Sequence, residues 1–491
     1  MPNNNNDRRG EQKKPFRKDG SAPRKPGQGK PQGGKPAQGG KPAFNKPKGA
    51  SPARIAALEA LMDVQIAEAY AGLALTNRIA ASRLNALDRR LMTELFYGVL
   101  ENRIYLDYIL SKYMERPCED DVTLQILRMG VYQLIFMDKI PDNAVCNDAV
   151  ELTKRFKRGS MGGLTNAVLR SIIRDRSRIV YPEGKTDALS IRHSFPKWLV
   201  ERLIEDFGEE FAESLIAYRD KNHHVTIRPN LTRITCEAFE KYLNEQGFEW
   251  ENGIVPNAYR IKGGFVAQHV GFKTGMYSVI GEASMLAAQA VGVKPGQQVL
   301  DCCAAPGGKS CYMAELMNGT GRLYAWDLHD HRVKLISGAA QRLGLDNIRV
   351  RVQDAREVVD SQIERMDCVL VDAPCSGMGD YLSKPDIKYN ITHEGVAALH
   401  ETQCDILDAC CKYVKPGGTL VYSTCTLFRA ENEDTVKAFL AKHPDFALKG
   451  LERTLPEAFA SKVKDGMLTL YPHLDGTDGF FIARMVRKKR I

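Results

Sequence analysis

The C-terminal half carries the feature that most restricts the fold, a strict alternation of strand-like and helix-like segments. From Gly281 onward, apolar runs recur at Gln298–Leu300, Leu323–Trp326, Ile348–Val352, Cys368–Val371 and Leu420–Tyr422. Helix-like stretches at Ser310–Met317, Val333–Leu343 and Ala397–Tyr413 separate the first from the second run, the second from the third, and the fourth from the fifth. Such repetition predicts a doubly wound parallel sheet with helices on both faces. Met467–Tyr471 and Phe480–Val486 follow, and their spacing predicts an antiparallel hairpin that closes the sheet.

A sheet of this kind binds ligands beyond the carboxyl ends of its strands. Here those ends carry chemistry. The first strand runs through Asp301-Cys302 into Cys303-Ala304-Ala305-Pro306-Gly307-Gly308-Lys309 and then a helix. Small residues let a ligand approach the backbone there, and the helix N-terminus offers unpaired N–H groups. Asp327 ends the second strand, where a carboxylate can accept both hydroxyls of a ribose. Asp354 follows the third, in reach of an adenine amino group, and Asp372 ends the fourth, next to the expected reaction centre. Neither GxxxxGK[ST] nor GxGxxG occurs in the loop, which argues against a P-loop nucleotidase and a dinucleotide oxidoreductase.

Two cysteines follow strand-like runs, in Asp372-Ala373-Pro374-Cys375 and in Ser423-Thr424-Cys425. A nucleoside-type cofactor loop with two strand-end thiols is what carbon-5 methylation of cytosine requires. C5 is a poor nucleophile until a thiolate adds to C6; the addition turns C5 into an enamine carbon able to accept a methyl group. A second group must then assist loss of the C5 proton and expulsion of the thiolate. Asp372 is placed to hold the base edge. Six other cysteines, Cys302, Cys311, Cys368, Cys404, Cys410 and Cys411, are expected to be small buried hydrophobes. No CxxC pair occurs among the 12 cysteines, so neither a metal site nor a disulfide framework is expected.

At 491 residues the chain is long enough for two or three domains. Its charge of +9 is unevenly placed: residues 1–50 hold 13 Lys and Arg against 3 Asp and Glu, and the remainder holds 56 against 57 (69 − 13 and 60 − 3). That glycine- and proline-rich segment has almost no large apolar residues and is expected to be a disordered basic tail, either for salt-sensitive contact with phosphates or as a solubilising linker. Apolar residues recur at helical spacing from Pro52 to Asp175, as in Leu91, Leu95, Val99 and Leu124, Leu127, Val131, Leu134, which predicts an all-α domain. Arg89, Arg90, Lys154, Arg155, Lys157 and Arg158 within it are expected on solvated faces. Residues 190–278 mix helix and strand, with Trp198 expected as a packed anchor and Arg228 as a surface arginine. No apolar run reaches the roughly 18–20 residues of a membrane span, and the basic N-terminus has no apolar signal core, so a cytoplasmic location is expected.

Two resemblances sharpen these expectations. Leu87-Asp88-Arg89-Arg90, Tyr97-Gly98-Val99-Leu100, residues 126–132, Ile140-Pro141, Asn147-Asp148-Ala149-Val150-Glu151 and Asn166-Ala167-Val168-Leu169-Arg170 resemble the NusB-like RNA-binding domain. Asp301 to Lys309, Asp372 to Gly377, Lys384-Pro385-Asp386-Ile387, Ser423-Thr424-Cys425, Glu431-Asn432-Glu433 and Asp478-Gly479-Phe480-Phe481 resemble the NOL/NOP/Sun family of RNA cytosine-C5 methyltransferases. The fusion of the two resembles the bacterial Sun/RsmB group, which modifies small-subunit ribosomal RNA. What the family implies is S-adenosyl-L-methionine as cofactor, Cys425 as nucleophile and Cys375 as the group assisting release. It also implies that Cys303 to Lys309, Asp327, Asp354 and Asp372 contact the cofactor or the reaction centre.

The expected architecture is a basic tail over 1–50, a NusB-like domain over 51–180, a small α+β module over 181–280 and a Rossmann-like methyltransferase domain over 281–491. A monomer acting on ribosomal RNA, with no metal and no membrane, is the expected state. Asp386 and Lys388 are candidates either for positioning RNA or for a structural role. Tyr389, Thr426 and the Ile280-Gly281-Glu282 stretch depart from the family pattern. A DNA cytosine methyltransferase would make Cys375 the nucleophile but leave Thr424-Cys425 unexplained, and no long target-recognition insertion of that class follows here. A transfer-RNA methyltransferase shares the catalytic motifs, and a non-catalytic RNA-binding factor would not need both thiols and all the acids.

Overall fold

The computed structural model describes residues 49–67, 71–176, 179–219, 224–263 and 266–489. The basic tail expected over 1–50 lies outside the described residues apart from Gly49 and Ala50. Seven α-helices between Pro52 and Asp175 bury one apolar cluster that includes Leu58, Leu95, Val99, Leu127, Val131 and Leu169. Side-chain caps set two of the helix starts. The Asn85 carboxamide oxygen accepts from Asp88 N at 2.9 Å, and the Asp120 carboxylate accepts from Thr123 N at 2.9 Å. Gly98 and Gly130 let helices approach closely: a Cβ at Gly98 would lie 2.0 Å from the Tyr132 ring.

A four-stranded antiparallel sheet follows, built from β1 (His224–Pro229), β2 (Trp250–Asn252), β3 (Tyr259–Lys262) and β4 (Tyr277–Val279) in the order β2-β3-β1-β4. With the helix Cys236–Glu245 it has its own small core around Phe239, Leu243, Ile261 and Tyr277. The helices Lys197–Phe207 and Glu209–Ala217 belong elsewhere. Their apolar faces (Leu199, Val200, Leu203, Leu215, Ile216) pack with Met378, Tyr381, Leu427 and Phe428 of the C-terminal domain. Periodicity in the sequence announces such a face but not what covers it.

Strands β5 (Gln298–Asp301), β6 (Arg322–Asp327), β7 (Ile348–Val352), β8 (Met366–Asp372), β9 (Val414–Thr424), β10 (Phe446–Leu448), β11 (Met467–Leu470) and β12 (Phe480–Arg487) form one eight-stranded sheet. Along its path the order is β10-β12-β9-β8-β5-β6-β7, with β11 pairing the free part of β12. Strands β5 to β9 are mutually parallel, and β12 runs antiparallel to β9, β10 and β11. The expected hairpin is therefore present, but β12 lies inside the sheet and β10, not foreseen from the sequence, takes the edge. Connections leave β5 toward β6 on one side while β8 lies on the other, so the chain reverses direction at β5/β8. Such a switch point opens a crevice at the carboxyl ends of the strands.

The helical domain docks on the catalytic domain through the segment expected to position RNA. Lys388 is 3% exposed and Asp386 7% exposed. Lys388 Nζ donates to the Glu101 carbonyl at 2.8 Å, and Ala71 N to an Asp386 oxygen at 3.5 Å. Tyr389 OH contacts Ser194 Oγ at 2.9 Å and donates to Glu101 O at 3.2 Å, with the Arg103 guanidinium 3.8 Å above its ring. These three residues are interdomain contacts, which favours the structural reading of Asp386 and Lys388 over RNA positioning and gives the departure at Tyr389 a packing role. Arg228 is also not at the surface; it is buried in an ion pair with Glu315. Trp198 is partly buried, as an anchor should be, and stacks on His393.

Candidate active site

Each strand end delivers one part of the site. Past β5 the backbone turns sharply: Cys302 N donates to Leu370 O at 3.0 Å and Ala304 N to Trp326 O at 2.8 Å, which pins the loop between β8 and β6. Gly307 has φ +105°, and a Cβ there would sit 3.2 Å from the Ile336 Cα, so the turn into the helix Gly308–Leu316 favours glycine. The Ala305 N–H donates to an Asp327 oxygen at 3.1 Å, and Arg332 Nε lies 3.6 Å from that carboxylate. Asp354 sits at the rim, where Arg356 donates to it through its backbone N–H (2.9 Å) and guanidinium (2.6 Å). The hydrogen bond from Arg356, opposed by partial burial, holds this carboxyl below its ordinary range.

The centre lies where β8 and β9 end side by side. Asp372 pairs with Ser423 in the ladder, and its carboxylate accepts from Ser423 Oγ at 2.8 Å and from Lys309 Nζ at 2.7 Å. Burial pulls the Lys309 ammonium down, but the charge and hydrogen bond of Asp372 outweigh it, so Lys309 is held above its ordinary range. Behind this pair Asp301 is fully enclosed and accepts from Ser310 Oγ at 2.6 Å; burial pushes it up to about 7. Just past the last paired positions, Asp372 and Ser423, the loops bring the Cys375 and Cys425 sulfurs to 3.4 Å. The Cys375 thiol is pushed well above its usual range by the hydrogen bond to Cys425, by burial, and by the negative charge of Cys425 and Glu431.

A cavity of about 650 Å³ opens over these strand ends. Of the residues expected from the sequence, Cys303, Ala305, Pro306, Lys309, Asp327, Asp354, Asp372, Cys375 and Cys425 all line it. Ala304, Gly307 and Gly308 do not line it; they shape the turn beneath it. The sequence reading did not place Arg332, Asp380, Lys384, Asp478 and Phe480 in the lining. Lys384 and Asp478 lie in motifs that drew notice, but only folding shows that they share a wall with the thiols. Cys302, Cys311, Cys368, Cys410 and Cys411 are buried as expected, and Cys404 is half-buried. Among the described residues no three His, Cys, Asp or Glu side chains converge as metal ligands do, and no helix is long and apolar enough to cross a membrane.

The description of 16S rRNA methyltransferase RsmB/F matches residues 288–486, the NusB family matches 51–174, and the ferredoxin-like domain of RsmF/B-like methyltransferases matches 195–266. The protein named Probable ribosomal RNA small subunit methyltransferase B from Bacillus subtilis is 40% identical over 437 residues, 88% of this chain and 98% of that one. The chain belongs to the ribosomal RNA small subunit methyltransferase B family. The Salmonella typhi Ribosomal RNA small subunit methyltransferase B is 31% identical over 82% of this chain and 91% of its own. Among solved structures, PH0851 superposes with a TM-score of 0.78 at 27% identity, covering 89% of this chain and all 100% of that one. The fold is that of an S-adenosylmethionine-dependent methyltransferase joined to NusB and ferredoxin-like domains. The cavity suits that cofactor: a glycine-shaped helix N-terminus, the Asp327 carboxylate and the Asp354 rim are the groups a nucleoside with a charged amino-acid tail needs.

Proposed function

We propose that this methyltransferase modifies C5 of a cytosine in small-subunit (16S) ribosomal RNA through a covalent bond between Cys425 and C6 of the base. One observation carries the reading. Two thiols 3.4 Å apart stand at one wall of a cavity whose other wall is the cofactor loop. Methylation of an oxygen or an exocyclic nitrogen needs no thiol, whereas C5 of a pyrimidine becomes nucleophilic only when a nucleophile has added to C6.

The two sulfurs are not equivalent. The hydrogen bond to Cys425, burial and the nearby Glu431 carboxylate hold Cys375 as a thiol. That suits Cys375 to exchange a proton when the adduct breaks and leaves Cys425, the nucleophile that the family resemblance implies, to attack the base. Asp372, fixed by Lys309 and Ser423, keeps lone pairs for the amino edge of the base. Lys309 supplies positive charge beside it. Ala305, Pro306 and the start of the helix at Gly308 would hold the cofactor, with Asp327 for the ribose and Asp354 toward the adenine. When bound, S-adenosylmethionine supplies an electrophilic methyl group to the activated carbon. The target base must leave its stack to enter a cavity of this depth. The relatives' names and the NusB-like domain support ribosomal RNA as the substrate.

The test is a denaturing-gel assay for protein–RNA adducts with wild type, Cys375→Ala and Cys425→Ala, each mixed with 16S ribosomal RNA and S-adenosylmethionine. An adduct that persists in Cys375→Ala and is missing in Cys425→Ala is the expected result. An adduct only in Cys425→Ala exchanges the roles. No adduct in any of the three removes the covalent route.

A further inference from the structure

The ladder between β8 and β9 ends at Asp372 and Ser423, before either thiol. Main-chain contacts continue through Ala373 N to Ser423 O at 2.9 Å and Gly379 N to Cys425 O at 2.8 Å. Neither touches the residues that immediately follow the two cysteines. Those residues, Ser376 and Thr426, meet on one side chain.

Glu431 is fully buried at 0% exposure. Its Oε1 accepts from Ser376 N at 2.9 Å and from Gln403 Nε2 at 2.9 Å. Its Oε2 accepts from Ser376 Oγ at 2.5 Å and from Thr426 Oγ1 at 3.1 Å. The two hydroxyl oxygens lie 2.7 Å apart, so both hydroxyls and the carboxyl group form one closed hydrogen-bonded cluster. The neighbouring Asn432 completes the grip: its Oδ1 accepts from Thr424 Oγ1 at 2.5 Å and its Nδ2 donates to Thr426 O at 3.0 Å. Cys425 is thus held on both flanks, and Cys375 on the flank that faces it.

None of the four donors to Glu431 is a cation. Burying a carboxyl group on neutral donors alone is unfavourable relative to an apolar or amide side chain. A residue retained only to fill the core would not need the charge. We propose that Glu431 is a positioning residue that fixes the spacing of the two thiols by holding the residue after each of them. Its charge also helps keep Cys375 protonated, adding to the effect of Cys425 and of burial. Thr426, where the family commonly has Ser, keeps the hydroxyl that this arrangement uses.

The inference rests on the two-thiol reading above, and it makes a separable claim. Attack on the base needs Cys425 alone, whereas release needs both thiols in register. Glu431→Gln keeps the shape but turns one acceptor into a donor. It should lower kcat at least about tenfold, leave KM for RNA and affinity for S-adenosylhomocysteine within about twofold, and accumulate a covalent adduct absent from wild type. Ser376→Ala should move the same quantities in the same direction by less, and Glu431→Gln/Ser376→Ala should lose no more than Glu431→Gln alone. If Glu431→Gln does not fold, Ser376→Ala carries the test, with adduct accumulation as its readout. A normal kcat, or a loss matched by an equal loss of cofactor affinity, would assign Glu431 to the fold and overturn the proposal. Failure of Cys375→Ala to show an adduct would instead remove the two-thiol reading itself.

Discussion

Arg228 of β1 and Glu315 of the helix that follows the cofactor loop form an ion pair at 2.5 Å, with side chains only 2% and 3% exposed. The guanidinium also lies 4.1 Å over the Tyr312 ring. The small antiparallel module is thereby fixed to the element that presents the helix N-terminus to the cavity. Arg342 Nη1 donates to Phe272 O (2.8 Å) and Tyr277 O (3.0 Å), and Asn230 Nδ2 to Leu343 O (3.0 Å), which strengthens the same seam.

Removing one partner of this pair leaves a buried charge unmatched. Arg228→Met alone should cost about 3–5 kcal/mol in denaturant unfolding, while Arg228→Met/Glu315→Met should cost much less. Equal losses in the two proteins would mean that packing, not charge, holds the seam.

Asp301 gives a pH signature. Burial is the largest cause that raises its folded-state value from 3.8 to about 7, so between those values the folded state binds more protons than the unfolded chain. Stability must then fall as pH rises through that window and level off above about 7. His193 acts in the opposite sense. Burial and the nearby Arg219, Arg192 and Lys388 depress it from 6.5 to about 4, so its contribution is lost as pH falls. The measurement is therefore the difference between wild type and Asp301→Asn in guanidinium melts at several pH values. Wild type should lose ground to the variant as pH rises from about 4 to about 7; a constant difference would rule out the buried acid as its source.

Gly379 sits where two loops cross the end of β9. A Cβ there would lie 2.0 Å from Gly479 O and 2.8 Å from Cys425 O, both backbone atoms with little room to move. Gly379→Ala should destabilise by about 1–3 kcal/mol or more, and should lower turnover more than S-adenosylhomocysteine affinity. Calorimetric titration alongside single-turnover assays separates the two; unchanged turnover would show that the loops tolerate separation.

The basic tail makes a salt-dependent prediction from charge alone. Deleting residues 1–50 should weaken RNA binding chiefly at low salt and reduce the slope of log affinity against log salt, without abolishing turnover. Identical salt slopes for the two proteins would remove the tail from RNA binding.

Much of the site was legible because its parts are local. The turn from Asp301 to Gly308 is a property of consecutive small residues, and Asp327, Asp354 and Asp372 announce themselves by ending apolar runs. Arg228, Asp386 and Lys388 were not legible, since a charged residue in a polar stretch looks solvated until another domain covers it. Glu431 stood out only within a family motif. Its chemistry depends on Ser376 and Thr426, which reach it from separate loops.

The sequence by itself determined the alternation that makes a doubly wound sheet, the acids at its strand ends and the two cysteines that chemistry singles out. Periodicity and strand termination are short-range properties, set by which neighbours alternate and where an apolar run stops. Only the tertiary structure decided that β12 enters beside β9, that the thiols stand 3.4 Å apart, and that Glu431 ties their flanks together. Those distances arise between segments far apart in the chain, and they exist only once packing has brought the segments together and excluded water from the hydrogen bonds that hold them.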